Sequence, residues 1–350
     1  MNEIKIKDTL IGCKNAPFII AEMSGNHNQS LDRAFKIVDA AAASGAHALK
    51  LQTYTADTIT LDVSGGDFFI NDKNSLWKGN DLFDLYEKAY TPWEWHKPIM
   101  QRANDLGMIC FSSPFDESAV DFLEGLNVPA YKIASFENNH LPLIKKVAST
   151  GKPIIISTGM ASIDQIDEAV TAARMAGCKD LILLKCTSTY PSKPINSNIL
   201  TIPNMRDRFG CEVGLSDHTM GIGASIAAIS HGASVVEKHF TLARSDGGVD
   251  SVFSLEPDEL KSLVIESERA WQALGAVVYG ASKSEEKSRI FRRSLYIAED
   301  MKTGDIFTDR NLRIVRPGMG LEPKYYDKFI GRKISKNAKK GDRVDWSLLK

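Results

Sequence analysis

The chain lacks an excess of charge of either sign. Its 43 Lys and Arg stand against 44 Asp and Glu, a formal charge of −1 over 350 residues. The basic footprint of a nucleic-acid binder is therefore missing, and so is a polybasic membrane anchor. Cysteine is scarce. Cys13, Cys110, Cys178, Cys186 and Cys211 are odd in number and show no metal-type spacing, so they read as free thiols of a reducing cytosol. No apolar run approaches ~18 residues, which excludes a spanning helix. The polar start MNEIKIKDTL does not read as a signal peptide, and a cytoplasmic location is the expectation. No GxGxxG follows the first apolar run, where the turn reads EMSGNHNQS, so a doubly wound dinucleotide fold ranks second. With 43% hydrophobic and 25% charged residues, the composition is globular. The length suits one large domain, alone or with a small one.

What is present is an alternation. Eight short apolar runs stand out: PFIIAEM (17–23), AHALKLQ (46–52), MICFSS (108–113), PAYKIAS (129–135), PIIISTG (153–159), LILLKC (181–186), EVGLS (212–216) and SVVEKH (234–239). Between them lie helical patterns such as SLDRAFKIVDAAAASG (30–45), TPWEWHKPIMQRANDLG (91–107) and SIDQIDEAVTAARMAG (162–177). Ser30 and Ser162 stand where N-caps belong, and Gly45, Gly107 and Gly177 just past the ends. Eight strand–helix units predict a parallel sheet closed as a (β/α)8 TIM barrel over residues 1–276. The loop 53–90 is unusually long and carries Trp77 and three Tyr, a sign of function in a compact domain. Residues 277–288 read as a linker. Residues 289–350, with KTGD and KKGD turns and few helical signals, read as a small second domain.

Chemistry in such a barrel belongs at the C-terminal ends of the strands, and here every end carries polar residues. Lys50, Lys132, Ser135, Ser157 and Ser216 have the chemistry of a phosphate or carboxylate pocket. The competing structural role for the lysines is pairing with Glu22 and Glu237 inside the barrel. His218 and His239 end neighbouring strands, and Glu22 ends the strand beside the second. Two His and a carboxylate with open positions suit a catalytic divalent metal, against the alternative of satisfied core histidines. His27 is a further candidate for the same mouth, whereas His47, His96, His140 and His231 read as structural. Trp93 and Trp95 read as packing at a helix start.

The motifs FIIAEMSGNHNQ, ALKLQTY, FSSPFD, YKIAS, ISTGM, CTSTYP, GLSDHT, EKHFT and a distal RPGMGL resemble, in order and over nearly the whole chain, the sialic acid synthase family. The resemblance implies a TIM barrel followed by an antifreeze-like (SAF) domain, and a phosphoenolpyruvate-dependent synthase of nine-carbon sugar acids. AEMSGNHNQSLDRA, HALKLQTYTADT, SLWKGNDLFDLY and TPWEWH resemble the pseudaminate branch. The N-acetylneuraminate branch more often reads IGINHNG and KFQ or KTQ. The substrates implied are phosphoenolpyruvate and an acetamido-deoxyhexose, 2,4-diacetamido-2,4,6-trideoxy-β-L-altropyranose. N-acetylneuraminate or legionaminate synthesis is the alternative within the family. A pyruvate-using aldolase and a non-enzymatic carbohydrate-binding protein are the alternatives outside it.

Residue by residue, the resemblance gives phosphoenolpyruvate to Lys50, Lys132, Ser135, Ser157, Ser188 and Ser216. The sugar falls to Gln52, Tyr190, Asp250 and Arg316, and a divalent cation, Mn2+ or Mg2+, to His218 and His239. Glu22 would orient the sugar or move protons. Ser188 departs from the family, which often carries Asn there. A homodimer that exchanges its small domains is also implied, with no nucleic-acid or membrane partner.

Overall fold

The structure, a computed structural model, describes residues 3–73 and 75–349. A first compact unit ends at Gly275 and a second begins at Ala276.

In the first unit eight strands form a closed barrel: β3 (Phe18–Glu22), β4 (Ala48–Thr53), β5 (Ile109–Pro114), β6 (Tyr131–Ile133), β7 (Ile154–Ser157), β8 (Leu181–Cys186), β9 (Glu212–Asp217) and β10 (Val235–His239). Neighbours run parallel all the way round, and β10 closes on β3 with His239 opposite Glu22. This is the (β/α)8 architecture that the alternation predicts.

The two-residue period of a strand sorts each one into an inner and an outer row. Outer residues such as Ile19, Ala21, Leu49 and Leu51 pack under the helices in one continuous core. Inner residues divide by height. Phe18, Ile20, Ala48, Ile109, Phe111, Ile155, Ile182, Leu184 and Val235 fill the lower barrel with an apolar plug. Above them the inner row changes to Lys50, Lys132, Ser157, Ser216 and Glu237.

Two strands are not anticipated by the sequence reading. The polar-looking start holds a hairpin, β1 (Ile4–Ile6) against β2 (Thr9–Ile11). Its Ile4, Ile6 and Ile11 are buried against Phe18 and Ile20, so they seal the lower end of the barrel. The signal is the spacing of Ile4 and Ile6, an alternation too short to stand out among lysines.

The helix signals act as expected. The Ser30 side chain accepts from Arg33 N, and Ser162 forms a capping box with Gln165. Gly45, Gly107 and Gly177 all stand at positive φ just past helix ends. The long segment after β4 contains short helices at Ala56–Ile59 and Leu82–Ala89. Trp93 packs on Phe122 at 4.6 Å between ring centroids and Trp95 against the His27 ring at 5.6 Å, both as packing residues.

The second unit has its own small core of Leu295, Ile297, Met301, Phe307, Leu312, Phe329, Ile334, Val344 and Leu348. It contains one antiparallel pair, β11 (Ser294–Ile297) with β12 (Leu312–Val315). Its KTGD and KKGD turns are built alike. Asp305 accepts from Lys302 N and Asp342 from Lys339 N, each at 2.7 Å. No helix among the described residues is long and apolar enough to cross a membrane. All five cysteines are free.

Candidate active site

A cavity of about 540 Å³ opens at the C-terminal ends of the barrel strands. Its floor is charged. Lys50 Nζ lies 2.6 Å from Glu22 Oε2 and 3.7 Å from Glu237 Oε1, and Lys132 Nζ lies 3.3 Å from that same Glu237 oxygen. The lysines thus do form the internal ion pairs that compete with a ligand role, yet both still line the cavity. Burying four charges is tolerable because they neutralise one another. Burial raises the Glu22 carboxyl despite Lys50 beside it. Glu237 is held below its ordinary range, because Lys132 and Lys50 outweigh its burial. Hydroxyls surround this floor. Ser113 accepts from Lys50 Nζ at 3.2 Å, Ser216 donates to Glu237 at 3.5 Å, and the buried Ser157 Oγ has no hydrogen-bond partner. An unpaired donor among cations is what an anionic oxygen would complete.

Above the floor stand the two histidines, their ring centroids 5.3 Å apart. His218 Nδ1 donates to the Thr187 carbonyl at 3.0 Å, which fixes the tautomer and leaves Nε2 as the acceptor. His239 Nδ1 is buried without a hydrogen bond, 3.5 Å from Asp250 Oδ2. Burial, then His218 and Lys50, push the His239 ring well below its ordinary pKa. The His239 ring suits a divalent cation, which needs neutral imidazole with a free lone pair, whereas at His218 burial is outweighed by the Cys186 thiol beside it and the pKa is raised. No group of three or more His, Cys, Asp or Glu arranged for a metal occurs among the described residues. His218 and His239 could hold a metal as two protein ligands, with the other positions open to water and substrate. Glu22 does not complete a three-ligand set. It is held beneath by Lys50 and by Gln52 Nε2, which donates to its Oε1 at 3.0 Å.

The other expected residues fall into three groups. Gln52, Ser135, Tyr190 and Asp250 line the cavity. Asp250 accepts from Ser24 Oγ, and the Tyr190 ring lies 4.5 Å from that of His218. Ser188 is outside the lining, half-buried, with its Oγ 3.9 Å from Cys186 Sγ. Arg316 is exposed on the second unit. His27 leaves the candidate list, since its Nε2 meets Thr91 Oγ1 at 3.1 Å and its Nδ1 accepts from Gln29 N. Asp217 and Lys238 also end strands but face outward and pair with each other at 3.2 Å, so they belong to the packing between sheet and helices.

These features meet a set of known proteins. The family model described as NeuB family matches residues 37–279, and the SAF domain matches residues 292–350. The chain belongs to the NeuB family. Pseudaminic acid synthase of Campylobacter jejuni is 44% identical over 327 residues, covering 93% of this chain and 95% of that one. Pseudaminic acid synthase of Helicobacter pylori is 43% identical over 91% of this chain and 94% of its own length. Among solved structures, N-acetylneuraminic acid synthetase of Leptospira borgpetersenii, in complex with citrate, superposes with a TM-score of 0.73 at 30% identity, over 82% of this chain and 95% of that one. The motif resemblance, the barrel and the SAF domain are thereby established.

In this NeuB family member the sequence reading missed part of the lining. Glu137, two residues after Ser135, faces the cavity; its Oε2 is buried without a hydrogen bond, and burial raises its pKa to about 7. Its only signal is that spacing. Phe253 packs 4.8 Å from His239 and 5.2 Å from Tyr190 and fixes both rings. Trp77 and the helix Leu82–Ala89 form the wall opposite the barrel strands, a role that a long loop announces only in general terms.

Proposed function

We propose that this chain condenses phosphoenolpyruvate with 2,4-diacetamido-2,4,6-trideoxy-β-L-altropyranose to give pseudaminic acid and phosphate. The observation that carries the reading is one cavity with two lysines and the unpaired Ser157 hydroxyl at its floor and the His218–His239 pair above. Identity of 44% to a pseudaminic acid synthase over 93% of the chain names the branch.

Lys50, Lys132, Ser135, Ser157 and Ser216 hold the phosphate and carboxylate, and Ser188, which the family resemblance gives to the same ligand, stands beside the cavity. Gln52, Tyr190 and Asp250 orient the open-chain sugar above. A divalent cation held by His218 and His239 would supply Lewis-acid polarisation of the sugar aldehyde. Carbon 3 of phosphoenolpyruvate attacks the aldehyde carbon, forming the new C–C bond. Water adds to carbon 2, and the resulting tetrahedral centre expels phosphate by cleavage of the C–O bond. The Lys50 and Lys132 ammonium groups are placed to stabilise the departing phosphate, and Glu22, whose carboxyl is raised, is placed to exchange a proton.

Arg316 reaching the sugar, a homodimer that exchanges the small domains and a cytoplasmic location belong to the same reading, supported by the family resemblance. Co-expression of His239→Ala with Arg316→Ala tests the exchange. Mixed dimers recover activity only if the small domain serves the partner's barrel.

The test of the reaction is phosphate release from phosphoenolpyruvate across a panel of hexoses. Turnover of the diacetamido-trideoxy sugar with a nonulosonic acid product is expected. A higher kcat/KM for N-acetylmannosamine would move the chain to another branch of the family.

A further inference from the structure

The helix Leu82–Ala89 is amphipathic, with Leu82, Leu85, Tyr86 and Ala89 at i, i+3, i+4 and i+7. A stripe of that kind normally buries itself in a core, yet none of the eight residues of this helix is buried. All four stripe residues instead line the cavity. They face it together with Trp77, Phe115 and Phe136. The Trp77 indole has no hydrogen bond left to offer, because its Nε1 already donates to the Val249 carbonyl at 2.9 Å. The cavity thus has two unlike poles, a polar one rich in N–H donors at Lys50 and Lys132 and an apolar one at this wall.

We infer that the wall Trp77–Leu82–Leu85 is the specificity element for the far end of the sugar, and that it selects a hexose ending in a methyl group over one ending in a hydroxymethyl group. The inference rests on the reaction proposed above and extends it. The anionic substrate occupies the lysine pole. The sugar aldehyde must lie against it to form the bond, so the opposite end of the hexose points away from the floor. What it meets there is largely apolar: Leu82 and Leu85 carry no polar side-chain atom and the Trp77 Nε1–H is already engaged, with the Tyr86 hydroxyl beside them. A methyl group supplies the contact that Leu82 and Leu85 lack, whereas a hydroxymethyl group set against these two side chains must shed water without a partner. A pocket of this kind discriminates by about 10–200-fold, because it penalises the hydroxyl without blocking it.

The experiment compares two sugars that differ only at carbon 6, 2,4-diacetamido-2,4,6-trideoxyhexose and its 6-hydroxy counterpart, in wild type and in Leu82→Gln and Leu85→Gln. Gln keeps helix propensity close to that of Leu and offers an amide to the hydroxyl. Wild type should favour the 6-deoxy sugar in kcat/KM by about 10–200-fold. Each variant should shrink that ratio by at least about tenfold, with the KM for phosphoenolpyruvate and the melting temperature unchanged. A wild-type ratio near unity, or a ratio that neither folded variant alters, overturns the inference. N-acetylmannosamine and its 6-deoxy form are run in parallel. If only that pair turns over, the proposed substrate falls, and the wall is judged on that pair by the same criterion.

Discussion

Lys132 Nζ lies 3.3 Å from Glu237 Oε1, and neither side chain is more than 4% exposed. Lys50 and Glu22 complete a cluster of two positive and two negative charges. A cluster that already cancels attracts an anion through directed N–H donors rather than through net charge. Lys132→Met removes such donors and leaves Glu237 with Lys50 alone. The KM for phosphoenolpyruvate should rise by about 10- to 150-fold, the equivalent of one charged hydrogen bond. The stability loss should be smaller than the ~3–5 kcal/mol of a wholly orphaned buried charge, because Lys50 remains. Steady-state kinetics and chemical denaturation measure the two effects, and an unchanged KM would remove Lys132 from the anion site.

His218→Ala and His239→Ala should each reduce bound metal, read by elemental analysis, and abolish phosphate release with the circular dichroism spectrum intact. Chelation should silence the wild type reversibly, with activity returning on addition of Mn2+. Full turnover by protein stripped of metal below detection would refute the assignment.

A Cβ on Gly159 would collide with Ser188 Oγ and lie 2.6 Å from Ser135 Oγ and 3.0 Å from Ser135 Cβ. Ser188 can rotate away, but the Ser135 Cβ is fixed by its backbone. Gly159→Ala should therefore displace Ser135 and weaken phosphoenolpyruvate binding by at least about tenfold, with a fold cost of about 1–3 kcal/mol. A variant with wild-type KM would show that Ser135 does not need its present position.

Burial raises the Glu137 carboxyl from 4.5 to about 7, against the opposing effect of Lys132. Below pH 4.5 the group is protonated whether the chain is folded or unfolded and has no differential effect. As pH rises from 4.5 to 7 the unfolded chain loses the proton first, so stability falls, and above 7 the loss is constant. Glu137→Gln should remove that penalty, raising stability by up to about 3 kcal/mol at pH 8 and by little at pH 4. Equal effects at the two pH values in thermal denaturation would contradict it.

The barrel is legible because eight apolar runs alternate with capped helices, and each signal is local. The floor is legible because Lys50 and Lys132 interrupt apolar strands, where a buried cation needs a reason. Less legible is the face of each polar residue. Asp217 and Lys238 look as functional as Ser216 and His239, and only the strand register turns them outward. Glu22 misleads in another way, since being opposite His239 in register does not free a carboxylate already engaged by Lys50 and Gln52. The wall of Leu82, Leu85 and Tyr86 hides best. An amphipathic stripe reads the same whether a protein core or a ligand covers it.

The hairpin Ile4–Ile11 and the apolar plug above it close the lower end of the barrel, so the described residues leave the floor open to ligands from the upper end. Traffic through one doorway must queue. The molecule seated on the lysines has to enter before the sugar closes over it, and whatever remains there after bond formation waits until the sugar acid has left. Phosphate should then be the last to depart, and its rival for the empty enzyme is phosphoenolpyruvate rather than the hexose.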